Sequence, residues 1–433
     1  MKVGFISLGC CKNLVDSENI MGLLKSANID IVSDPSLADA IIINTCGFIN
    51  SAKEEAIDTI LEMAEYKKQN CKKLIVTGCL AQRYKETLIE ELPEVDCFIT
   101  IKEYPRINEI LSEVLDIKIT ANYGKTTRLI SSKPWMAYLK IAEGCSNNCT
   151  YCAIPLIRGD NISVPMEELI KEAKELANDG VKELVLIAQD TSKYGLDLYD
   201  RLALLDLLKE LNDIDGIHWI RILYMYPDEI ENSLIEGMAK LNKVLPYFDI
   251  PMQHGNDQML QLMNRRGTIA SVHAMINKIR ETFPNPTLRT TFIVGFPNET
   301  EETFNDLMEF VKEIRWNQMG AFTYSREEDT EAYEMINQVP SEIANDRLDQ
   351  LMSLQKTIAI TNNERMVGQT IEVLVETKDA LKKRYRGRGV NSAPDEVDGY
   401  ITFESNIDIP LGTFVNVLVT KALAYDLIGK HSA

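Results

Sequence analysis

The sequence predicts an α/β protein in three parts: an N-terminal parallel α/β domain, a partial (β/α)6 barrel, and a small C-terminal all-β barrel. Three observations carry this reading. Apolar runs alternate with helical patterns over residues 1–118, the signature of a parallel sheet. The alternation restarts and supplies six strand candidates within residues 131–360, which fits a partial barrel better than a complete eight-unit one. Residues 364–433 then change to short β-rich runs separated by Gly, Pro, Asn and Asp, the pattern of a small barrel that grips RNA or protein.

The elements follow in order. Val3–Leu8, Ala40–Ile43 and Leu74–Thr77 read as strands. Ile20, Leu23 and Leu24 mark one face of a helix over Asp16–Ser26, and further helices are expected at Ser51–Tyr66 and near Leu88. A polar stretch between Leu115 and Lys133 reads as a linker. The barrel strands are expected at Ala137–Ala142, Leu184–Ala188, Trp219–Tyr224, Tyr247–Pro251, Arg289–Val294 and Met319–Thr323. Gln338–Glu364 reads as a long polar helix leading out of the barrel. The tail contributes Thr370–Glu376, Gly399–Phe403 and Thr413–Thr420.

At about 150 residues per domain, 433 residues suit about three domains. No stretch reaches the roughly 18 consecutive apolar residues of a membrane span, and the N-terminus lacks the long apolar core of a signal peptide. A cytoplasmic protein with no membrane partner is expected. The net charge of −19 makes a general polyanion binder a poor fit and a basic protein a good one. Residues 119–365 hold 25 basic and 37 acidic side chains, net −12, whereas residues 366–433 hold 8 and 9, net −1.

There are nine cysteines. Clustered cysteines in a long cytosolic chain point to metal or catalytic sites before disulfides. Cys145, Cys149 and Cys152 lie in one short loop just after the first barrel strand, where barrel active sites are built. Three thiolates hold three irons of a [4Fe–4S] cluster and leave the fourth open to a ligand. The bland alternative is zinc, which normally takes four ligands at paired spacings. A second trio is dispersed: Cys10, Cys46 and Cys79 each follow a predicted parallel strand, beside Gly9, Gly47 or Gly78. Open α/β sheets bind ligands at that edge, so these three thiols could share a second cluster. The alternative is that each is a small buried hydrophobe. Cys71 and Cys97 match no pattern and read as packing or surface residues.

The Cys145–Cys152 spacing resembles the signature of the radical S-adenosylmethionine enzymes. The segments Ser7–Glu18, Asn44–Ile49 and Thr77–Tyr84 resemble the three N-terminal motifs of the methylthiotransferase family within them. That family joins such a domain to a radical barrel and a C-terminal TRAM domain, and the match covers nearly the whole chain in order. The motif wording, with Lys12–Asn13, Ile187–Thr191 and Phe322–Glu327 as further cues, resembles the protein-modifying branch rather than the branch that modifies tRNA adenosines.

The resemblance implies two [4Fe–4S] clusters and two S-adenosylmethionine molecules, one giving a methyl group and one giving the radical. It implies a methylthio group placed on the β-carbon of an aspartate in small-subunit ribosomal protein S-twelve, with a reducing electron donor and a sulfur donor as further partners. Cys10, Cys46, Cys79, Cys145, Cys149 and Cys152 are the expected iron ligands. Tyr151 matches the aromatic position beside the adenine, and Gly295, in Thr291–Thr300, matches a later strand motif near the cosubstrate. Gln189, Asp190 and Arg221 end barrel strands and are further expected cofactor contacts; Gln253 and His254 occupy a comparable region, though His254 is not expected to bind metal. Val164 stands where the family usually carries Arg, which puts one polar contact in question, while Arg158 and Gly159 keep the pattern. Cys11 is an extra cysteine expected to face away from Cys10. The run Lys382–Arg388 reads either as a phosphate-contacting loop or as a solvated hairpin tip.

Overall fold

Five parallel strands form the N-terminal sheet in the order β2-β1-β3-β4-β5. They are β1 (Lys2–Ser7), β2 (Asp30–Val32), β3 (Ala40–Thr45), β4 (Lys73–Gly78) and β5 (Cys97–Ile99). The computed structural model describes residues 1–125, 128–379, 383–395 and 397–432. Helix α1 (Cys11–Ser26) begins directly after Cys10, and α3 (Cys79–Glu91) begins at Cys79 itself; α2 (Asn50–Ala64) lies between them in sequence, and α4 (Ile107–Leu115) follows β5. Helix α1 starts earlier than the expected Asp16, because its polar first turn is buried against other parts of the chain and carries no apolar stripe. The sheet order reverses between β1 and β3, and Cys10 and Cys46 follow those two strands. This is the switch point where doubly wound sheets bind ligands.

The barrel strands are β6 (Met136–Lys140), β9 (Glu183–Ile187), β10 (Trp219–Ile222), β11 (Tyr247–Asp249), β12 (Thr287–Val294) and β13 (Gln318–Thr323); the short β7 (Ala142–Glu143) and β8 (Ile162–Ser163) pair as a flap around the cysteine loop. They form two parallel three-stranded sheets, joined by a bridge between Ile220 and Val244. Strands β6 and β13 are the free edges, so the barrel is open on one side. One strand face, including Leu139, Leu186, Ile220, Phe248 and Phe292, packs in the large core under the helices. The N-terminal domain lies across the gap. Helix α1 meets β6, and Glu327, just beyond β13, is bound by Lys53 at 2.9 Å and Arg83 at 3.0 Å. The helix Ser341–Glu364 packs along β13, as the predicted long polar helix requires.

The C-terminal strands are β14 (Thr370–Asp379), β15 (Arg384–Gly389), β16 (Ile401–Glu404), β17 (Phe414–Ala422) and β18 (Leu427–His431), and they close into a barrel. The sequence reading found three of these five. It missed β15 because a run of arginines hides a strand: β15 pairs antiparallel with β14, and Lys383 stands in the turn between them, so the run begins at a hairpin turn and continues as a strand with Arg384 and Arg386 exposed. Arg388 is buried and donates to Glu183 of the large barrel and to Glu376. Arg386 lies over the Tyr400 ring at 3.6 Å. Lys382 lies outside the described residues. The C-terminal barrel faces the second, inner side of the large barrel's strands. Tyr138 and Tyr247 donate to Asp395 and Asp398, and Arg289 pairs with Asp398 at 3.3 Å. No described helix is long and apolar enough to cross a membrane.

Candidate active site

The cysteine loop follows β7 and is shaped by close backbone approach. Gly144 has φ +72°, and a Cβ there would lie 2.1 Å from the Asp160 carbonyl oxygen, so only glycine fits. The Cys145 amide donates to the Gly159 carbonyl at 3.0 Å and that of Cys152 to the Cys149 carbonyl at 3.0 Å. Asp190 is buried and accepts from Asn147 of this loop at 2.8 Å. Gln189 is half-buried beside it. Tyr151 meets Phe296 edge-on at 6.4 Å, which brings the loop to the Gly295 turn. Gly295 has φ +74° and donates its amide to Glu299 at 2.6 Å.

Two residues that sequence reasoning missed complete this side. Tyr226 and Arg265 approach the Cys149 sulfur, the hydroxyl and the guanidinium each at 3.9 Å. Arg265 also covers the Tyr226 ring at 3.8 Å. Neither belongs to a quoted motif; Tyr226 comes from the loop after β10 and Arg265 from the turn between the helices Asp257–Leu262 and Ile269–Thr282. Burial pushes the Cys152 thiol up to about 12, and charge on Cys149 and Cys145 adds to the rise. For the buried Cys152 to ionise, positive charge must offset that rise, and bound iron would supply it.

The dispersed trio is also brought together. A Cβ on Gly9 would lie 2.8 Å from the Cys46 Cβ, and one on Gly47 would lie 2.8 Å from the backbone of Leu80. The three strand-end loops therefore touch. Asn13 ties them: its amide donates to the Leu8 and Thr45 carbonyls at 3.1 and 3.0 Å, and its oxygen accepts from Cys79 at 3.4 Å. Burial pushes the Cys79 thiol up to about 12; Arg158 pulls the other way, and charge on Cys10 and Cys46 adds to the rise. Cys11 instead meets the Tyr224 hydroxyl at 3.6 Å. A cavity of about 300 Å³ beside Cys10 and Cys11 is lined by Ser131, Ser132 and Asp395.

Among the described residues, no three Cys, His, Asp or Glu side chains converge as one metal ion would need. A cluster places each thiolate on a different iron and does not demand that closeness. The donor sets fit a cluster better than zinc: among the described residues the barrel loop brings three thiols, and at the N-terminal site Cys11, beside Cys10 in sequence, is turned to the Tyr224 hydroxyl.

Other expected contacts lie elsewhere. Arg221 is fully buried, bound to Glu183 at 2.9 Å and to the Val390 carbonyl at 2.9 Å. It faces the C-terminal barrel rather than the cysteine loop, so this geometry does not support it as a cosubstrate contact. His254 is buried against Glu299 at 3.2 Å, and Gln253 takes φ +73° at its strand end. Val164 packs its side chain on the barrel core. Cys71 is buried in the N-terminal core and Cys97 is half-buried in β5.

Comparison with known proteins decides the family. Over 99% of its length, this chain is 48% identical to the ribosomal protein uS12 methylthiotransferase RimO of Lachnoclostridium phytofermentans, covering 99% of that protein. The chain belongs to the RimO family of radical S-adenosylmethionine methylthiotransferases. Similar relatives of the same description occur in Acetivibrio thermocellus, at 46% identity, and Clostridioides difficile, at 47%, each over 99% of this chain and 98% of the relative. Residues 2–100 match an uncharacterized protein family, UPF0004, residues 139–311 the radical SAM superfamily and residues 367–431 the TRAM domain.

Among solved structures, the radical S-adenosylmethionine methyltransferase TsrM from Kitasatospora setae shares the fold with a TM-score of 0.56. It is 10% identical, over 91% of this chain and 81% of that one. The cobalamin-dependent radical enzyme OxsB gives 0.53 at 12% identity, with this chain spanning 56% of its length. The enzyme is thus a sulfur-transferring radical transferase that uses S-adenosylmethionine and a [4Fe–4S] cluster.

Proposed function

We propose that this enzyme methylthiolates the β-carbon of an aspartate in ribosomal protein uS12, using two S-adenosylmethionine molecules and a sulfur donor. The observation that carries the reading is full-length identity of 46–48% to relatives described by that substrate. The net charge of −19 supports a basic protein partner over tRNA. The rival reading, a tRNA adenosine methylthiotransferase, receives no support from these relatives.

In this reading Cys145, Cys149 and Cys152 hold one cluster and Cys10, Cys46 and Cys79 a second. Tyr151, Gly295, Gln189 and Asp190 border the cosubstrate. When bound, the cluster and cosubstrate supply the one-electron chemistry that an unactivated C–H bond requires. The chain's own residues do the rest. Asp190 holds Asn147 and so the cysteine loop. Arg265 and Tyr226 cover Cys149, and Asn13 fixes the three N-terminal loops. The N-terminal domain lies over the open side of the barrel, which supports passage of sulfur from one site to the other. Three units, 1–118, 131–360 and 364–433, divide these tasks, and the protein works in the cytoplasm with a reducing electron donor.

The test is incubation of the reconstituted enzyme with isolated uS12 or with tRNA, S-adenosylmethionine, sulfide and a reductant. Methylthio product on uS12 alone is expected. Product on tRNA alone would overturn the reading.

A further inference from the structure

One buried cation belongs to neither cysteine trio yet touches the second. Arg158 ends the short helix α5 (Ile154–Arg158), which starts just after Cys152, and its side chain is 1% exposed. Its guanidinium reaches into the N-terminal domain. It donates to Asn13 Oδ1 at 2.5 Å, to Asp16 at 3.0 Å and to Glu143 at 2.6 Å, and lies 3.6 Å from the Cys79 sulfur. Lys140 binds the same Asp16 and Glu143 at 2.5 and 2.6 Å. Two cations and two carboxylates thus balance one another without the thiol. The guanidinium is the cation that meets the sulfur, and α5 packs Ile157 against Cys79.

We infer that Arg158 is a positioning residue that sets the charge, and so the reduction potential, of the Cys10–Cys46–Cys79 site from the radical domain. This rests on the reading that those cysteines hold a cluster. A hydrogen bond and a buried positive charge beside a ligating sulfur withdraw electron density from it. They favour the more reduced state, since hydrogen bonds to sulfur and net charge set cluster potentials. Asp16 works against this by partly neutralising the guanidinium. Because α5 follows directly from the cysteine loop, any shift of that loop on cosubstrate binding would also move Arg158 relative to Cys79.

The experiment uses the full chain with Cys145, Cys149 and Cys152 replaced by Ala, reconstituted with iron and sulfide, so that only the N-terminal site can hold a cluster. Iron content is measured first, then the potential by redox titration followed by electron paramagnetic resonance. In the Arg158→Gln variant the ratio of reduced to oxidised cluster at a fixed potential should fall about tenfold, a shift of about 59 mV for one electron. Asp16→Asn should shift it the opposite way, and Arg158→Lys should keep most of the parent value. Shifts of the same sign in Arg158→Gln and Asp16→Asn, or no shift in either, would overturn the inference in favour of a plain domain link. If Arg158→Gln holds no iron, Asp16→Asn decides, and an unchanged or lowered potential there overturns the claim. A parent without iron would instead overturn the second-cluster reading, and the inference with it.

Discussion

The guanidinium of Arg158 stands 3.6 Å from the sulfur of Cys79, so a residue of the radical barrel touches a thiol of the N-terminal sheet. The contact joins the segment that follows Cys152 to the Cys79 loop, and the metal content of each cysteine site becomes the first quantity to measure.

Two [4Fe–4S] clusters give about eight irons per chain after anaerobic reconstitution. Replacing Cys145, Cys149 and Cys152 with Ala should remove about half, and replacing Cys10, Cys46 and Cys79 the other half. Iron analysis and absorbance check this. Full iron in the Cys10/Cys46/Cys79 variant would rule out the second cluster.

The two sites should also separate by product. Cys46→Ala should still cleave S-adenosylmethionine to 5′-deoxyadenosine while losing methylthio product. Cys149→Ala should lose both, because the radical source is gone. Chromatographic assay of both products follows the split; normal methylthiolation by Cys46→Ala would make the N-terminal site structural.

The C-terminal barrel is fastened by buried charge, which changes what its removal would do. Glu183 binds both Arg221 and Arg388, all three fully buried or nearly so. Removing one partner leaves an uncompensated buried charge and costs about 3–5 kcal/mol. Arg388→Ala should therefore lower the denaturation midpoint measurably. A chain ending near Glu364 should lose radical-domain stability as well as substrate recognition. An Arg388→Ala variant as stable as the parent would show that the network carries no net energy.

Glu103 should keep its charge far into the acid range. Burial would raise its carboxyl, but the Lys85 ammonium and the Thr100 amide and hydroxyl outweigh it and hold it down to about 2. The folded value lies below the unfolded one. Its stabilisation is therefore present above about pH 4.5 and is lost as pH falls toward 2. Glu103→Gln should cost about 1–2 kcal/mol at neutral pH, and its denaturation midpoint should fall less steeply between pH 4.5 and 2. Parallel profiles would contradict this.

The legible parts of the molecule were those with local signals. The Cys145–Cys152 spacing stands in one loop, and each dispersed cysteine follows an apolar run, so both trios could be read directly. Arg265, Tyr226 and the reach of Arg158 to Cys79 could not, because their partners are distant in sequence and only tertiary packing joins them. Arg221 misled for the same reason: strand position gives no indication of which side chain it meets, and Glu183 with the C-terminal barrel claims it. Strand β15 was hidden because its charged residues are paired in the fold, which local polarity cannot reveal.

The most direct test of the central claim is the mass of ribosomal protein uS12 from cells with and without this enzyme. The account predicts that the deletion lacks the mass of one SCH₂ unit on a single aspartate and that restoring the gene returns it. An unchanged uS12 mass in the deletion would contradict the account.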